Sequence, residues 1–428
     1  MLNSVPENNN RLSLRLRRMT VIHIFLWMLH GANGMANPFQ GLIYGTITLT
    51  NGTTKVGIIQ GKNRQLFWED IFMTVRKDNP SLEFLKNSEI RNLSDQEKKE
   101  KIEWGFMQIW ENKYPSRTNR YSCRFGDIAS ITPTKNLEAI LKLKNGSSLR
   151  IEGNDRYKDI GKYFYISNPA GNWHRIEWKK IRRIDFSPTP KSALNTAVRP
   201  LFGTVKTRYG QLTGYIKWDQ DEGMTSSILD GKTEDSLKKI PFWQIAMIRR
   251  IHENSSEVRL KNGSRLTLSD TDDVGKSNHG ITIFLKDVGN IIIKWKDFQE
   301  IIFSSNQGAP ALPGYESFRP KEALNGSVIS LHSEKISGRI VYDLDEQWGS
   351  DILEGYKNGL YYRIPFSNIR NVERKNDQHS LIVLKNGRKL LLGGQSDVND
   401  KNWGLLVWSG QEKPKYIPWK QVKLLQLK

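Results

Sequence analysis

One apolar pattern occurs six times in this chain and constrains its fold more than any other feature. In Ile240-Pro-Phe-Trp-Gln-Ile-Ala-Met-Ile248, an aromatic residue lies two positions after an isoleucine, and isoleucines follow three and six positions after the aromatic. A spacing of two is strand period, and a spacing of three fits a single 3₁₀ turn. Each copy is therefore predicted to be a strand, one turn and a second strand around a shared core. The six sets are Cys123/Phe125/Ile128/Ile131, Ile176/Trp178/Ile181/Ile184, Ile240/Phe242/Ile245/Ile248, Ile293/Trp295/Phe298/Ile301, Ile364/Phe366/Ile369/Val372 and Ile417/Trp419/Val422/Leu425.

A second motif shows that these elements come in pairs. Leu143-Lys-Asn-Gly146 recurs from Leu260 and from Leu384, and the same offsets carry Trp178 onto Trp295 and Trp419. Asn-Gly between alternating apolar residues predicts a hairpin in which both central residues have positive φ. Proline-rich linkers separate the copies. The chain is predicted to hold three large repeats: repeat 1 (39–188), repeat 2 (198–305) and repeat 3 (321–428).

Repeat 1 carries an insertion at about 76–117. Ser94-Asp-Gln-Glu97 has the form of a capping box, and apolar residues follow it at helical spacing. The insertion is therefore predicted to form one amphipathic helix from about Asp95 to Trp110, which packs on a barrel, and a partner-binding helix is the alternative.

A hairpin, two more strands, one 3₁₀ turn and a last short strand resemble an SH3-like or Sm-like small β-barrel. The runs Gly203-Thr-Val-Lys-Thr and Gly214-Tyr-Ile-Lys-Trp-Asp-Gln-Asp-Glu222 are similar to uncharacterised exported bacterial repeat proteins, which imply no function. The resemblance implies an all-β fold in which each of three tandem repeats is a pair of SH3-like β-barrels, with one helical insertion in repeat 1. Such barrels bind peptides, glycans or nucleic acid, or act as scaffolds. A six-bladed β-propeller is the alternative, since six units of four or five short strands also suit it.

The N-terminus has the features of an export signal. Four arginines precede the short apolar run Thr20 to Leu29, and Gly34-Met35-Ala36 offers the small residues of a cleavage site. Residues 1–36 are predicted to be a signal peptide, and a start at Met19 is the alternative. No other segment is long enough to span a membrane. The protein is expected to be exported, and to be periplasmic, cell-envelope or secreted.

The single cysteine and the net charge bear on partners. Cys123 takes the place that isoleucine fills in other copies, so it is predicted to be a buried small hydrophobe. The net charge is +20, and removing residues 1–36, with four arginines and one glutamate, leaves +17. This surplus favours an anionic envelope polymer or an envelope protein as partner, whereas nucleic acid is not expected outside the cell. The predicted binding residues flank the turn elements: Lys179, Lys180, Arg182, Arg183, Arg249 and Arg250.

Two acidic stretches are candidates for a metal site. Trp218-Asp219-Gln-Asp221-Glu222 is echoed by Tyr342-Asp343-Leu-Asp345-Glu346. Closely spaced carboxylates are the ligands that Ca²⁺ prefers, although an EF-hand loop is not present. Repeat 1 has Gln60-Gly-Lys-Asn-Arg64 at this place, so a solvated strand end is the competing interpretation. The predicted metal residues are Asp219, Asp221, Glu222, Asp343, Asp345 and Glu346. A second acidic loop holds Asp270, Asp272 and Asp273, matched by Asp397 and Asp155 in the other repeats.

Two functions follow from these features. The histidines are scattered, and the sequence holds neither a nucleophile elbow nor a phosphate-binding Gly-rich loop. The first hypothesis is an exported non-catalytic binding or scaffold protein of the cell envelope. The alternative is a metal-dependent or carboxylate-based hydrolase acting on envelope glycans, with the paired aspartates as its carboxylates.

Overall fold

The structure is a computed structural model that describes residues 39–93, 120–153, 159–167, 172–193, 198–304 and 309–428. These residues belong to a single unit, Pro38–Lys428. The predicted signal peptide, residues 1–36, and the predicted helix from Asp95 to Trp110 lie outside the described residues. Within the described part of the chain, the helices are too short or too polar to cross a membrane.

The predicted all-β class is confirmed, and the strands pair antiparallel throughout. Repeat 1 contains β1 (Tyr44–Leu49), β2 (Thr54–Gln60), β3 (Ile71–Arg76), β4 (Arg120–Arg124), β5 (Ile128–Lys135), β6 (Glu138–Leu143), β7 (Ser148–Glu152), β8 (Tyr163–Ser167), β9 (Trp173–Glu177) and β10 (Ile181–Phe186). Repeat 2 contains β11 (Leu201–Thr207), β12 (Gly210–Lys217), β13 (Ile228–Lys232), β14 (Leu237–Pro241), β15 (Ile245–His252), β16 (Ser255–Leu260), β17 (Arg265–Ser269), β18 (Ile281–Leu285), β19 (Gly289–Ile293) and β20 (Phe298–Phe303). Repeat 3 contains β21 (Asn325–Ser330), β22 (Lys335–Tyr342), β23 (Ile352–Lys357), β24 (Leu360–Pro365), β25 (Ile369–Arg374), β26 (His379–Leu384), β27 (Lys389–Gly393), β28 (Leu405–Trp408), β29 (Lys415–Ile417) and β30 (Val422–Leu427).

All six predicted turn elements are confirmed as three-residue 3₁₀ helices between two strands. In each one the N–H after the helix donates to the carbonyl of the aromatic residue three positions earlier. Every apolar residue of the six sets is at most 6% exposed, so the pattern marks the core. The six helices are Phe125–Asp127, Trp178–Lys180, Phe242–Gln244, Trp295–Asp297, Phe366–Asn368 and Trp419–Gln421. Among the described residues, further 3₁₀ helices lie at Pro80–Phe84, Asp272–Val274, Tyr315–Ser317 and Ser396–Val398, and residues 87–93 are α-helical.

The Asn-Gly hairpins have a different turn from the predicted one. Gly146 has a φ of 88°, but Asn145 does not have a positive φ. Leu143 N donates to Ser147 O at 2.9 Å, and Gly146 N donates to Leu143 O at 3.1 Å. The Asn145 carboxamide accepts the Ser147 N–H at 3.0 Å, an Asx turn that keeps the asparagine out of the left-handed region. The loop is thus a three-residue hairpin loop with a left-handed glycine at its end.

The same order of strand pairing occurs in each of the three repeats. In repeat 1 the order is β4-β3-β7-β6-β5-β10-β1-β2-β8-β9. The corresponding strands pair in the same way in repeat 2 and in repeat 3. Within the described ranges no sheet closes into a barrel, so the predicted closed barrels are not observed as such.

The two halves of each repeat exchange their first hairpins. In repeat 2, hairpin β11–β12 pairs with β18 and β20, whereas β16–β17 pairs with β13 and β15. A propeller blade pairs strands that follow one another along the chain, and these pairings do not follow that rule. The halves meet where β15 pairs with β20 and Ile248 lies opposite Ile301. Because both are the last apolar residue of a turn element, the junction joins equivalent positions.

The three repeats contact one another. Asn290 and Ile291 of β19 pair with Arg363 and Tyr362 of β24, which joins repeats 2 and 3 edge to edge. A buried ion pair between Lys217 Nζ and Asp70 Oδ1, at 3.3 Å, joins repeats 1 and 2.

Repeats 1 and 3 meet through a buried carboxylate and the described part of the insertion. The completely buried Glu354 carboxylate forms ion pairs with Arg120 of repeat 1 and with Arg363 of its own repeat. The first part of the predicted insertion packs on repeat 3, because its Leu85 and Leu93 lie in one apolar cluster with residues of repeat 3.

Candidate functional site

The carboxylates of Asp219, Asp221 and Glu222, here called the Asp219 cluster, come together just after β12. One oxygen of each lies within 4.8 Å of the other two. Asp219 and Gln220 have φ values of 46° and 61°, so both central residues of the turn are left-handed. Trp218 N donates to Glu222 O at 2.8 Å, and this bond folds the acidic stretch back on itself. The structure thus assembles the three predicted residues, while a metal role stays a prediction.

The Asp343 cluster, made of Asp343, Asp345 and Glu346, repeats this geometry after β22. Its oxygens also lie within 4.8 Å of one another. Asp343 and Leu344 have φ values of 47° and 62°, and Tyr342 N donates to Glu346 O at 2.7 Å. A positive φ is rare for a branched residue such as leucine. Its recurrence at the same turn indicates that the surrounding contacts hold this conformation in both repeats.

The first aspartate of each cluster also fixes a neighbouring loop. Asp219 Oδ1 accepts the His279 N–H and lies 3.0 Å from His279 Nδ1. Asp343 Oδ1 accepts the N–H of Trp403 in the same way. The other acidic residues of the clusters have fewer hydrogen-bond partners. Among the described residues, buried carboxylate oxygens without a hydrogen-bond partner include Asp221 Oδ1, Glu222 Oε2 and Glu346 Oε2.

Burial makes these carboxylates hard to ionise together. Burial raises the pKa of Glu222, and the neighbouring Asp221 carboxylate raises it further. Burial and the charge of Asp345 likewise hold the pKa of Glu346 well above its usual value. Carboxylates at this spacing need a shared proton or a bound cation between them. Each cluster can therefore act as a proton-sharing group or supply three oxygens to a hard cation.

A further aspartate adds negative charge to each cluster. Asp273 Oδ2 accepts the Asp230 N–H at 2.5 Å, and Asp397 Oδ2 accepts the Glu354 N–H at 2.7 Å. Burial raises the pKa of both Asp273 and Asp397 to about 7. The charge of Asp273 in turn raises the pKa of Glu222. Of the aspartates in the acidic loop predicted from sequence, Asp273 is thus the one whose charge acts on the Asp219 cluster.

Repeat 1 shows the same framework with amides in place of acids. Asp159 Oδ2 accepts the Met73 N–H at 2.6 Å. Asp273 accepts the N–H of Asp230, which occupies the equivalent strand position in repeat 2. Asn63 Nδ2 and Gln65 Nε2 both donate to Asp159 Oδ1 at 2.6 Å. Gln65 takes the place of Glu222, since its carbonyl accepts the N–H that closes the turn, here from Gly61 at 3.0 Å. An amide at this position satisfies the aspartate without a shared proton or a cation.

The sequence alignment placed the repeat 1 counterpart at Asp155, which lies outside the described residues. The structure shows that Asp159 has this role. A signal for it exists in the sequence, because each of the three aspartates directly precedes a buried aliphatic residue. These pairs are Asp159-Ile160, Asp273-Val274 and Asp397-Val398.

Positive charge distinguishes the two clusters. Arg76 of repeat 1 donates to Asp345 O at 2.5 Å, and the charges of Arg76 and Arg120 lower the pKa of Asp345 against the larger effect of burial. At Asp219 the opposing charge comes from His279. The Asp219 cluster therefore keeps more of its negative charge uncompensated.

Most of the predicted basic residues already have partners. Lys179 pairs with Glu177 at 3.4 Å, and Arg183 pairs with Asp185 at 2.8 Å. In repeat 2, Arg249 pairs with Glu300 at 2.9 Å, and Arg250 donates to Trp295 O at 2.6 Å.

Lys180 and Arg182 are exposed, and neither has an acidic partner within the described ranges. These two residues are the ones still available to an external anion. A binding role for the six basic residues stays a prediction.

A cleft of about 730 Å³ lies where the three repeats meet, and neither acidic cluster lines it. Cys123 is completely buried in the core of repeat 1, which confirms its predicted environment. Burial holds the pKa of its thiol well above the usual value. Comparison of the chain with protein families, curated proteins and solved structures found no match.

Proposed function

We propose that this chain is an exported, non-catalytic binding or scaffold protein of the cell envelope that takes up a protein partner along a strand edge. The finer fold in this proposal is three tandem pairs of SH3-like units. The strand order supports it. When the five strands of each half are numbered along the chain, each five-stranded group has the order fifth, first, second, third, fourth, with a 3₁₀ turn between the fourth and fifth strands.

The observation that carries the proposal is the exposed edge of β14. Among the described residues β14 pairs with β13 alone. Its counterpart in repeat 3, β24, has β19 as a second neighbour. The chain thus contains one example of this edge taking up an antiparallel strand. Exposed sheet edges of this kind bind extended peptides by adding a strand.

The side chains of β14 indicate an acidic partner. Leu237, Lys238 and Lys239 occupy the positions at which β24 faces β19, and neither lysine has an acidic partner in the described part of the chain. Leu237 is 52% exposed, and Trp243, just beyond the strand, is 54% exposed. Lysines at an open edge also discourage pairing between two copies of the same edge. A strand with acidic and apolar residues is complementary to this surface.

The proposal is tested by titrating the purified chain into a fluorescent six-residue peptide with two central glutamates flanked by valine and threonine. Charge reversal at Lys238 and Lys239 is expected to weaken binding about tenfold or more, because like charges then face each other. Lys335→Glu together with Lys389→Glu is the matched control, since both lysines are exposed and lie outside β14. A peptide with lysines in place of the glutamates should not bind. Equal binding by the charge-reversed chain would refute this edge as the site.

An anionic polymer is the other partner that the charge surplus suggests. Retention on an immobilised anionic polymer is then expected to depend on Lys180 and Arg182 and to change little when the internally paired Lys179 and Arg183 are neutralised. A salt gradient measures this directly. Elution at low salt from all variants would count against a polymer partner.

The convergence of the acidic residues supports a second candidate function, a metal-dependent or carboxylate-based hydrolase acting on envelope glycans. Asp219, Asp221 and Glu222 supply the carboxylates this chemistry requires within one small space. Calorimetry with Ca²⁺, followed by glycan hydrolysis assays of the chain and of Asp221→Asn, tests it. Hydrolysis that Asp221→Asn leaves unchanged would show that these acids are not catalytic.

A further inference from the structure

The cleft between the repeats is built from residues of all three. Glu69 and Arg124 come from repeat 1, Phe202 and Phe284 from repeat 2, and Lys321 from the start of repeat 3. The segment that precedes repeat 3 closes another side with Pro310, Leu312 and Phe318. The volume of the cleft, about 730 Å³, lies within the range of small-molecule sites, which commonly form between domains.

The aromatic part of the cleft wall is preformed. Phe202 packs edge-on against Tyr215 with ring centroids 5.1 Å apart, so both rings are held in place. Phe284 packs in the same way against Phe67 at 5.7 Å. Fixed aromatic rings present an apolar surface to a ligand and lose little conformational entropy when it binds.

In the described part of the chain, one half-buried charged residue of the wall has no ion-pair partner, whereas the exposed Lys286 and Asp287 lie at the surface. Arg124 lies 3.6 Å from Glu69 and 3.0 Å from Asp127, so its charge is compensated within the protein. Lys321 is half-buried, and its ammonium group has no hydrogen-bond or acidic partner among the described residues. Burial and the nearby Arg124 charge lower the pKa of Lys321, and the opposing charges of Asp127 and Glu69 do not offset this effect.

We propose that the cleft binds a small amphiphilic anion, with an apolar body against the aromatic wall and one carboxylate, sulfonate or phosphate group at Lys321. An anion placed there supplies the charge partner that the protein does not. The cleft opens to solvent beside the exposed residues Lys286, Asp287 and Ser317, which leaves an entry path. This inference does not depend on the strand edge of β14 or on the acidic clusters.

The test uses 8-anilinonaphthalene-1-sulfonate, which joins an aromatic body to one sulfonate. Titration of the full chain, followed by dye fluorescence, is expected to show one saturable site. Lys321→Met keeps the apolar stem but removes the charge, and it should weaken binding about tenfold or more, as expected for loss of a charged hydrogen bond. Lys321→Arg should retain binding. Lys335→Met, an exposed lysine that does not line the cleft, is the matched control.

Two further measurements keep the result unambiguous. The dye also binds partly folded states, so near-UV circular dichroism must show the same packing in each variant. Ser317→Trp, which places an indole in the cleft, should reduce binding without changing that spectrum.

Competition with dodecanoate and with dodecylammonium then separates the ligand classes. Displacement by dodecanoate alone indicates an acyl anion, and displacement by an aromatic carboxylate alone indicates an aromatic one. Unchanged affinity in Lys321→Met, or equal displacement by dodecylammonium, would overturn the proposal.

Discussion

Replacing Glu222 by glutamine tests how the Asp219 cluster balances its charge. Repeat 1 already has a glutamine at this position, and Gln65 donates to Asp159 at 2.6 Å. The same amide at position 222 faces Asp273 in an equivalent framework. The change keeps the size of the side chain and removes a buried group that has to share a proton or a cation.

The direction follows from proton linkage. The pKa of Glu222 is raised in the folded chain from its ordinary value of 4.5, so the folded state binds the proton more tightly than the unfolded state. Its contribution to stability is complete below pH 4.5 and is lost as the pH rises toward the folded pKa. Each raised pKa gives a slope of about −1.4 kcal/mol per pH unit in this window. Between pH 4.5 and pH 7 this sets an upper limit of about 3 kcal/mol.

Glu222→Gln is therefore expected to stabilise the chain by about 1–3 kcal/mol at pH 7 and by much less at pH 5. Urea unfolding between pH 5 and pH 8, in a chelator, measures the difference. Gln65→Glu is the reciprocal control, because it places a carboxylate beside Asp159 and should destabilise the chain increasingly as the pH rises.

Calcium separates the two ways of balancing the charge. If the cluster holds a cation, about 1 mM Ca²⁺ should stabilise the wild-type chain and should have little effect on Glu222→Gln. A shared proton predicts no effect of Ca²⁺ on either chain. The charge-balance reasoning is refuted if, in chelator, Glu222→Gln destabilises the chain by the same amount at every pH between 5 and 8.

Three further predictions concern packing and burial. Phe242→Ala should cost about 3–5 kcal/mol in urea unfolding because the ring fills a core turn, whereas Trp243→Ala next to it should cost under about 0.5 kcal/mol. Equal effects would show that the two rings do not differ in burial. Glu354→Ala should cost about 3–5 kcal/mol, since it leaves two guanidinium groups without their buried partner; a thermal midpoint close to wild type would contradict this. Cys123 should react with a water-soluble maleimide only after unfolding, because burial raises its thiol pKa; rapid labelling of the folded chain would show that the site opens.

The parts of the fold that were predictable are those encoded within a few residues. The turn elements combine a spacing of two with spacings of three, and each spacing has a direct geometric meaning. The acidic clusters were predictable for the same reason, because Asp219 and Glu222 are brought together by a single turn between them. The exact Asn-Gly turn was not, since the Asx hydrogen bond of Asn145 competes with the left-handed conformation.

The pairing between strands that are distant in the sequence could not be predicted from a local pattern. Hairpin β11–β12 has the same alternation whether it pairs with β13 or with β18, so its sequence does not specify the exchange. The same limit applies to charges. Lys179 and Arg183 looked available in the sequence, but their acidic partners, Glu177 and Asp185, lie two positions away on the same stretch. Arg183 and Asp185 lie two apart on β10 and therefore on one strand face, whereas Lys179 reaches Glu177 from the 3₁₀ turn that follows β9.

Comparison of the three repeats narrows the place where a cation could bind. Repeat 1 satisfies its aspartate with amides, and repeat 3 sets Arg76 of a neighbouring repeat beside its acids. Within the described residues, neither device occurs at the Asp219 cluster of repeat 2, although this repeat keeps the same turn and the same set of carboxylates. An array of equivalent binding sites would be expected to retain its ligands in every copy. The pattern instead favours a single cation or proton site at the Asp219 cluster, while the related positions in the other repeats maintain the fold.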